Sequence, residues 1–138
     1  MLRRSRIVLT TWSNDPVADA PGEVLYVQDE SSGEISLPLS STGESWVHYG
    51  AGYAKFAKQD PTLTQEVLLS VAHDLPVKVI RLRLTNKSAL ARTFLVSYYA
   101  ELVLGVSREQ TALHLQTSFD SSAQAVFCRN AYHPEYAN

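Results

Sequence analysis

Two stretches of two-residue alternation constrain this chain more than any other feature. From Val77 to Leu84, the apolar Ile80, Leu82 and Leu84 fall on one side, and Val79, Arg81 and Arg83 on the other. From Thr93 to Leu104, Phe94, Val96, Tyr98, Ala100 and Leu102 share one side. Leu95, Ser97, Tyr99, Glu101 and Val103 share the opposite one. A period of two marks a strand, because successive side chains point to opposite faces of a sheet. The polar-led link Asn86-Lys87-Ser88-Ala89-Leu90-Ala91 suits a turn. Segments 77–86 and 92–103 are therefore predicted to form one long antiparallel hairpin.

Further strands follow from the same pattern. Segment 63–72 is bounded by Asp60-Pro61 and by His73-Asp74-Leu75-Pro76, where proline has no N–H for a central ladder. Segment 23–29 is expected to split Val24 and Tyr26 from Leu25 and Val27 across its two faces, with Ser31-Ser32-Gly33-Glu34 as the turn after it. Segments 46–49 and 53–58 are joined by Gly50-Ala51-Gly52, whose glycines permit backbone angles closed to other residues. A later hairpin is predicted from 114–118 and 123–129 around Phe119-Asp120-Ser121-Ser122, and an early strand over 6–12. Segment 36–45, with Pro38, Gly43 and many hydroxyls, reads as a loop. No segment has the pattern of a helix longer than two turns. Many short strands imply an all-β fold, an antiparallel β-sandwich or barrel. At 138 residues the chain suits a single domain and can bury roughly two-thirds of its unfolded surface.

Composition excludes several function classes. A net charge of -2 gives no reason to expect nucleic acid or acidic lipid as a partner. No apolar run approaches the roughly 20 residues a membrane helix needs, so no membrane contact by this segment is expected. Arg3, Arg4 and Arg6 are followed by no apolar stretch of signal-peptide length before Asn14 and Asp15. The single cysteine, Cys128, leaves no partner for an internal disulfide or a cysteine-based zinc site. A cytoplasmic location and no cofactor are the expectations.

The candidate chemistry is thin for an enzyme. Most of the 14 acidic residues sit at turns, where carboxylates hydrogen-bond the backbone or face water. Their spacing marks no acid–nucleophile pair of the kind glycoside chemistry uses. Glu101, inside an apolar strand, must face outward or be held by a partner such as an arginine. His48, His73, His114 and His133 lack metal-ligand spacing, and no Gly-x-Ser-x-Gly elbow is present. Gly50-Ala51-Gly52 lacks the setting and the lysine of a phosphate loop. Cys128, on an apolar strand, is expected to be a small buried side chain rather than a nucleophile. Aromatic residues are more suggestive, because sugar rings stack their C–H faces on Trp and Tyr. Trp12, Tyr26, Trp46, Tyr49, Tyr53, Tyr98, Tyr99 and Tyr132 could serve, although core packing is the ordinary role of an aromatic on a strand. Trp12 stands out because it adjoins the polar Ser13-Asn14-Asp15.

A relay of motifs adds a family reading. In order, they are Trp12-Ser13-Asn14-Asp15-Pro16-Val17, Leu25-Tyr26-Val27-Gln28-Asp29, Ser32-Gly33-Glu34, His48-Tyr49-Gly50-Ala51-Gly52-Tyr53, Asp74-Leu75-Pro76-Val77-Lys78-Val79-Ile80-Arg81-Leu82-Arg83-Leu84-Thr85-Asn86, Tyr99-Ala100-Glu101-Leu102-Val103-Leu104-Gly105-Val106 and Arg129-Asn130-Ala131-Tyr132. The relay resembles the N-terminal β-sandwich of the cellobiose-phosphorylase-like proteins of glycoside hydrolase family 94, with the closest look to cyclic β-1,2-glucan synthases. The resemblance implies a supersandwich shared with galactose-mutarotase-like proteins. It also implies a noncatalytic carbohydrate-binding or scaffold module whose chemistry sits on a helical (α/α) barrel elsewhere in the parent protein. The parent would be associated with the inner membrane. For Trp12, Asn14, Asp15, Tyr26 and Asp29 the resemblance implies a structural or substrate-side role, and Trp46 and Tyr53 join them as candidate sugar platforms.

Two departures weaken the transfer. Gln28 stands where the family usually has arginine, and Ile35-Ser36-Leu37 follows the Ser-Gly-Glu turn where the family tends to place tryptophan. The family's sandwich also runs past the end of this chain, so a partial sandwich over 1–138 is expected, with residues 1–10 a flexible or exchanged strand. Open edges would be covered by a second copy in a homodimer. The expected partners are thus a weakly bound β-glucan or oligosaccharide, the barrel and a second copy. The alternatives are a small mutarotase-like enzyme, drawing on His114 and Glu101, and a purely structural dimerisation module.

Overall fold

The computed structural model describes residues 3–4, 7–11, 17, 21–40 and 44–133. Twelve strands and one single-turn helix follow one another along these residues. They are β1 (Arg3–Arg4), β2 (Ile7–Thr10), β3 (Glu23–Asp29), β4 (Ile35–Ser36), β5 (Ser45–Gly50), β6 (Tyr53–Gln59), β7 (Leu63–Val71), β8 (Lys78–Asn86), β9 (Phe94–Ala100), β10 (Leu102–Gly105), α1 (Arg108–Thr111), β11 (Leu115–Asp120) and β12 (Ala125–Asn130), with a 3₁₀ turn at Ala112–His114 before β11. The chain is all-β, as the alternation requires, and its strands form several separate sheets.

Contacts divide the chain into two compact units, Val24–Tyr98 and Met1–Glu23 with Tyr99–Asn138. The mid-chain unit is built on the antiparallel sheet β5-β6-β7-β8 and on a smaller sheet ordered β4-β3-β9. Alternation is read out directly in its burial. On β3, Leu25, Val27 and Asp29 are buried while Tyr26 is exposed. On β7, Leu63, Gln65 and Val67 are buried, and Val67 is fully enclosed. Each such aliphatic side chain contributes about 1.5–3 kcal/mol through removal from water. The inward row continues across β8 through the half-buried Ile80, Leu82 and Leu84, while Val79, Arg81 and Arg83 face outward.

One expectation is overturned. Strands 78–86 and 94–100 are both present, but they do not pair as a hairpin. β8 pairs along its whole length with β7, from Leu63↔Asn86 to Val71↔Lys78, whereas β9 joins β3 in the other sheet. The physical reason lies in the links. The short connection after Val71 closes tightly, with Ala72 N donating to Val77 O at 2.9 Å, and β7 takes the adjacent edge of β8. The Asn86 link is instead a crossover with its own local structure. Asn86 Nδ2 donates to Leu90 O at 2.7 Å, and its Oδ1 accepts from Ser88 N at 3.0 Å and Ser88 Oγ at 2.7 Å. Alternation identifies a strand and its faces but leaves its partner open. The predicted strand 92–103 is also interrupted at Glu101, whose N–H donates to Gly22 O and whose carbonyl accepts from Thr11 N.

In the terminal unit, β1, β2 and β10 form one sheet and β11 with β12 another. The latter is the predicted late hairpin, paired from Leu115↔Asn130 to Asp120↔Ala125, so its turn falls later than expected, at residues 121–124. Its buried positions include Thr10, Val103, Leu104, Thr111 and Asn130.

Candidate functional site

The outward face of the four-stranded sheet gathers aromatic and charged side chains in the mid-chain unit. Register fixes which side chains share it. Trp46 lies opposite Ala57, Ala57 opposite Glu66, and Glu66 opposite Arg83. The next row runs His48, Lys55, Leu68, Arg81, and the third Gly50, Tyr53, Ser70, Val79. Rows two residues apart on one face are about 7 Å apart, and strands about 4.8 Å. The face thus presents aromatics on β5 and β6 and cations toward β8, within a patch roughly 14 Å on a side.

Both aromatics are held in place. The Lys55 ammonium sits 5.3 Å from the centre of the Trp46 ring and is itself held by Glu66 Oε1 at 2.6 Å. The chain Trp46–Lys55–Glu66 ties three strands together and fixes the indole while leaving it 46% exposed. Tyr53 is 40% exposed and stacks with His48 at 6.0 Å between ring centres. Its ring lies across Gly50, where an added Cβ would fall 2.2 Å from the ring. Only glycine leaves room for that position, and Gly52, with φ of 75°, closes the turn between the two strands. Hydrogen bonding by Lys55, together with the charges of Lys55, Arg83 and Arg81, holds the Glu66 carboxyl below its ordinary range.

The sequence-predicted residues divide among several places. Trp46 and Tyr53 meet on this face. Trp12, Asn14 and Asp15 lie outside the described residues. Tyr26 is exposed on the side of β3 opposite Leu25, Val27 and Asp29. Asp29 is 4% exposed and spends its hydrogen-bonding capacity inside the fold. Its Oδ1 accepts from Ser31 N at 2.8 Å and Ser31 Oγ at 2.5 Å, and its Oδ2 from Arg92 Nε at 2.7 Å. The Ser31 bonds first, and then Arg92, lower its pKa from 3.8 to about 2. Asp29 also lines a cavity of about 310 Å³ with Glu34, Lys58, Asp60, Gln65 and Arg92, a place distinct from the aromatic face.

Several other titratable groups have structural partners or settings. Glu101 has the arginine partner its setting called for, Arg108 Nε at 2.7 Å. His114 packs on Tyr132 with ring centres 4.4 Å apart. Asp60 and Asp120 accept backbone N–H groups of the turns that follow them, at Thr62 and Leu63 and at Ser122 and Ala123. Burial pushes the Cys128 thiol up, away from a reactive thiolate. Among the described residues, no group of three or more His, Cys, Asp or Glu could hold a metal ion, and no helix is long and apolar enough to cross a membrane. Lys55 and Arg92 went unremarked in the sequence, and His48 was noted only as a histidine without metal-ligand spacing. His48 and Lys55 face each other in the row between Trp46 and Tyr53, and the two-residue spacing along β5 and β6 is the signal that would have placed them there.

The antiparallel sheets of the described residues define the class as an all-β, sandwich-type domain. The chain matches the glycosyl hydrolase 94 supersandwich domain over residues 2–138, and it belongs to that family. It is also similar to the cyclic beta-(1,2)-glucan synthase NdvB of Rhizobium meliloti (strain 1021), 35% identical over 133 residues. That match takes in 93% of this chain and 5% of the relative, so the chain spans about a twentieth of the length of the curated protein it resembles.

Proposed function

We propose that this domain is a noncatalytic carbohydrate-handling module of a cyclic β-1,2-glucan synthase-type protein, and that it contacts β-glucan through the outward face of β5–β8. The observation that carries the reading is the pair of braced, half-exposed aromatics, Trp46 held by Lys55 and Tyr53 laid across Gly50. Fixed rings with polar neighbours suit a saccharide, since the C–H face stacks while hydroxyls reach charged groups. Holding the rings in advance lowers the ordering cost of binding. Bond-making belongs to a helical barrel of the parent protein in this reading.

Scaffolding is a second role, and exposure on β9 favours it. Leu95, Val96, Tyr98 and Tyr99 are each 45–52% exposed, on both faces of one strand. We infer that a partner surface, the barrel or a second copy, covers them in the parent protein.

The sugar reading is tested by titrating the 138-residue chain with linear β-1,2-gluco-oligosaccharides into the millimolar range, following tryptophan fluorescence. Saturable binding is expected, weakened about tenfold by Trp46→Ala and again by Tyr53→Ala, or about 1.4 kcal/mol for each platform. A flat titration of the parent chain would remove the sugar contact and leave scaffolding alone.

A further inference from the structure

The aromatic half of the face is only part of it. Across β7 and β8 the same face falls into a groove of about 340 Å³ lined by Lys55, Glu66, Arg81 and Arg83. Three cations meet one carboxylate there, a local excess of positive charge on a chain whose net charge is -2. The carboxylate is already engaged by Lys55. Arg81 and Arg83, two residues apart on the same strand and about 7 Å from each other, have no carboxylate within ion-pair distance among the described residues. Their guanidinium groups are exposed at the outer edge of the sheet. Guanidinium is a planar fork of N–H donors that matches an oxyanion in two-point contact.

We infer that the saccharide bound by this face carries an oxyanion substituent, with its sugar rings over Trp46 and Tyr53 and its anionic group between Arg81 and Arg83. The inference rests on the sugar reading above and adds the charge of the ligand to it. Sulfate ester and carboxylate share the needed chemistry, and the arms of the test separate them. Charge on an edge strand also discourages unwanted strand pairing, but that role alone confers no preference among ligands.

The test compares four probes on the 138-residue chain by isothermal titration at low salt: a neutral β-gluco-oligosaccharide, its sulfated form, a glucuronate-containing oligosaccharide of equal length, and inorganic sulfate. The sulfated or the glucuronate form is expected to bind about tenfold or more tighter than the neutral one. Raising the salt should erase much of the difference. Arg81→Gln with Arg83→Gln should abolish the preference for the anionic forms over the neutral one. Arg81→Lys with Arg83→Lys should keep only part of it, because the charge stays and the fork is lost. Equal binding of neutral and anionic sugars, or a preference that survives both arginine substitutions, overturns the inference and leaves the sugar reading standing. Inorganic sulfate binding as tightly as the anionic sugars, with Trp46→Ala without effect, overturns the sugar reading instead. Binding by none of the probes ends both.

Discussion

Replacing Arg92 by alanine is expected to lower the melting temperature by about 10 °C. Arg92 is the knot of the mid-chain unit. Its Nε and second guanidinium nitrogen meet Asp29 Oδ2 at 2.7 and 2.5 Å, at the end of β3. Its remaining nitrogen donates to Thr62 Oγ1 at 3.1 Å, in the turn before β7. The guanidinium also stands 5.0 Å from the centre of the Phe94 ring, at the start of β9. Truncation loses all of these at once and strands a buried carboxylate with Ser31 alone, which is far worse than never having had the pair. Asp29→Asn in the Arg92→Ala background should recover part of the loss, because the stranded charge is then gone.

The pH dependence has a definite sign. Asp29 has its folded pKa lowered from 3.8 to about 2. Its contribution is therefore fully present above about 4 and fades as pH falls through about 2. In Arg92→Ala the folded pKa rises toward the ordinary value, so the difference in stability between parent and variant should shrink over that window. Thermal melts at several pH values read both effects. A fall of under 2 °C at neutral pH, or a gap independent of pH, would show that the pair contributes little.

Most strands were legible because burial in a sheet follows a period of two, and β3, β5, β6 and β7 fall within a residue or two of where alternation puts them. The gathering of Trp46 and Tyr53 was half legible: each reads as a strand aromatic that could serve as a sugar platform, but only register shows that they share a face. Pairing across sheets was not legible, because a crossover and a hairpin differ in three-dimensional closure rather than in pattern. That is why the Asn86 link reads as a simple turn. Arg92 was invisible for a related reason. A single arginine after a loop carries no periodic signal, and its partners are 63 and 30 residues away in the chain, at Asp29 and Thr62. Asp29 reads in the sequence as a residue with a structural or substrate-side role, and its commitment to Arg92 is not legible there because the contact is so distant in the chain.

The second large effect is expected at Asn130. β10 does not run as a regular strand: its register against β2 shifts between Leu102 and Gly105, and Leu104 adopts φ of 44°. A left-handed leucine costs about 1–2 kcal/mol, and nothing in the residue type anticipates it. Leu104 is nevertheless buried, and its carbonyl accepts from Asn130 Nδ2 at 3.1 Å within a buried site. The amide is oriented from its other end, where Oδ1 accepts from Tyr132 N at 3.1 Å. Gly105 completes the bulge, since a Cβ there would fall 2.5 Å from Thr111 Cγ2. Asn130→Ala should therefore destabilise the chain by about 2 kcal/mol in urea unfolding, from an orphaned carbonyl and a released strained turn. Asn130→Asp should be worse at neutral pH, because a carboxylate oxygen replaces the donor facing the Leu104 carbonyl. Its deficit should narrow as pH falls, since a protonated carboxyl can donate to that carbonyl where the ionised form cannot. Equal, small effects below about 0.5 kcal/mol for both substitutions would mean that the bulge is held by packing around Val103 and Leu104 rather than by the amide.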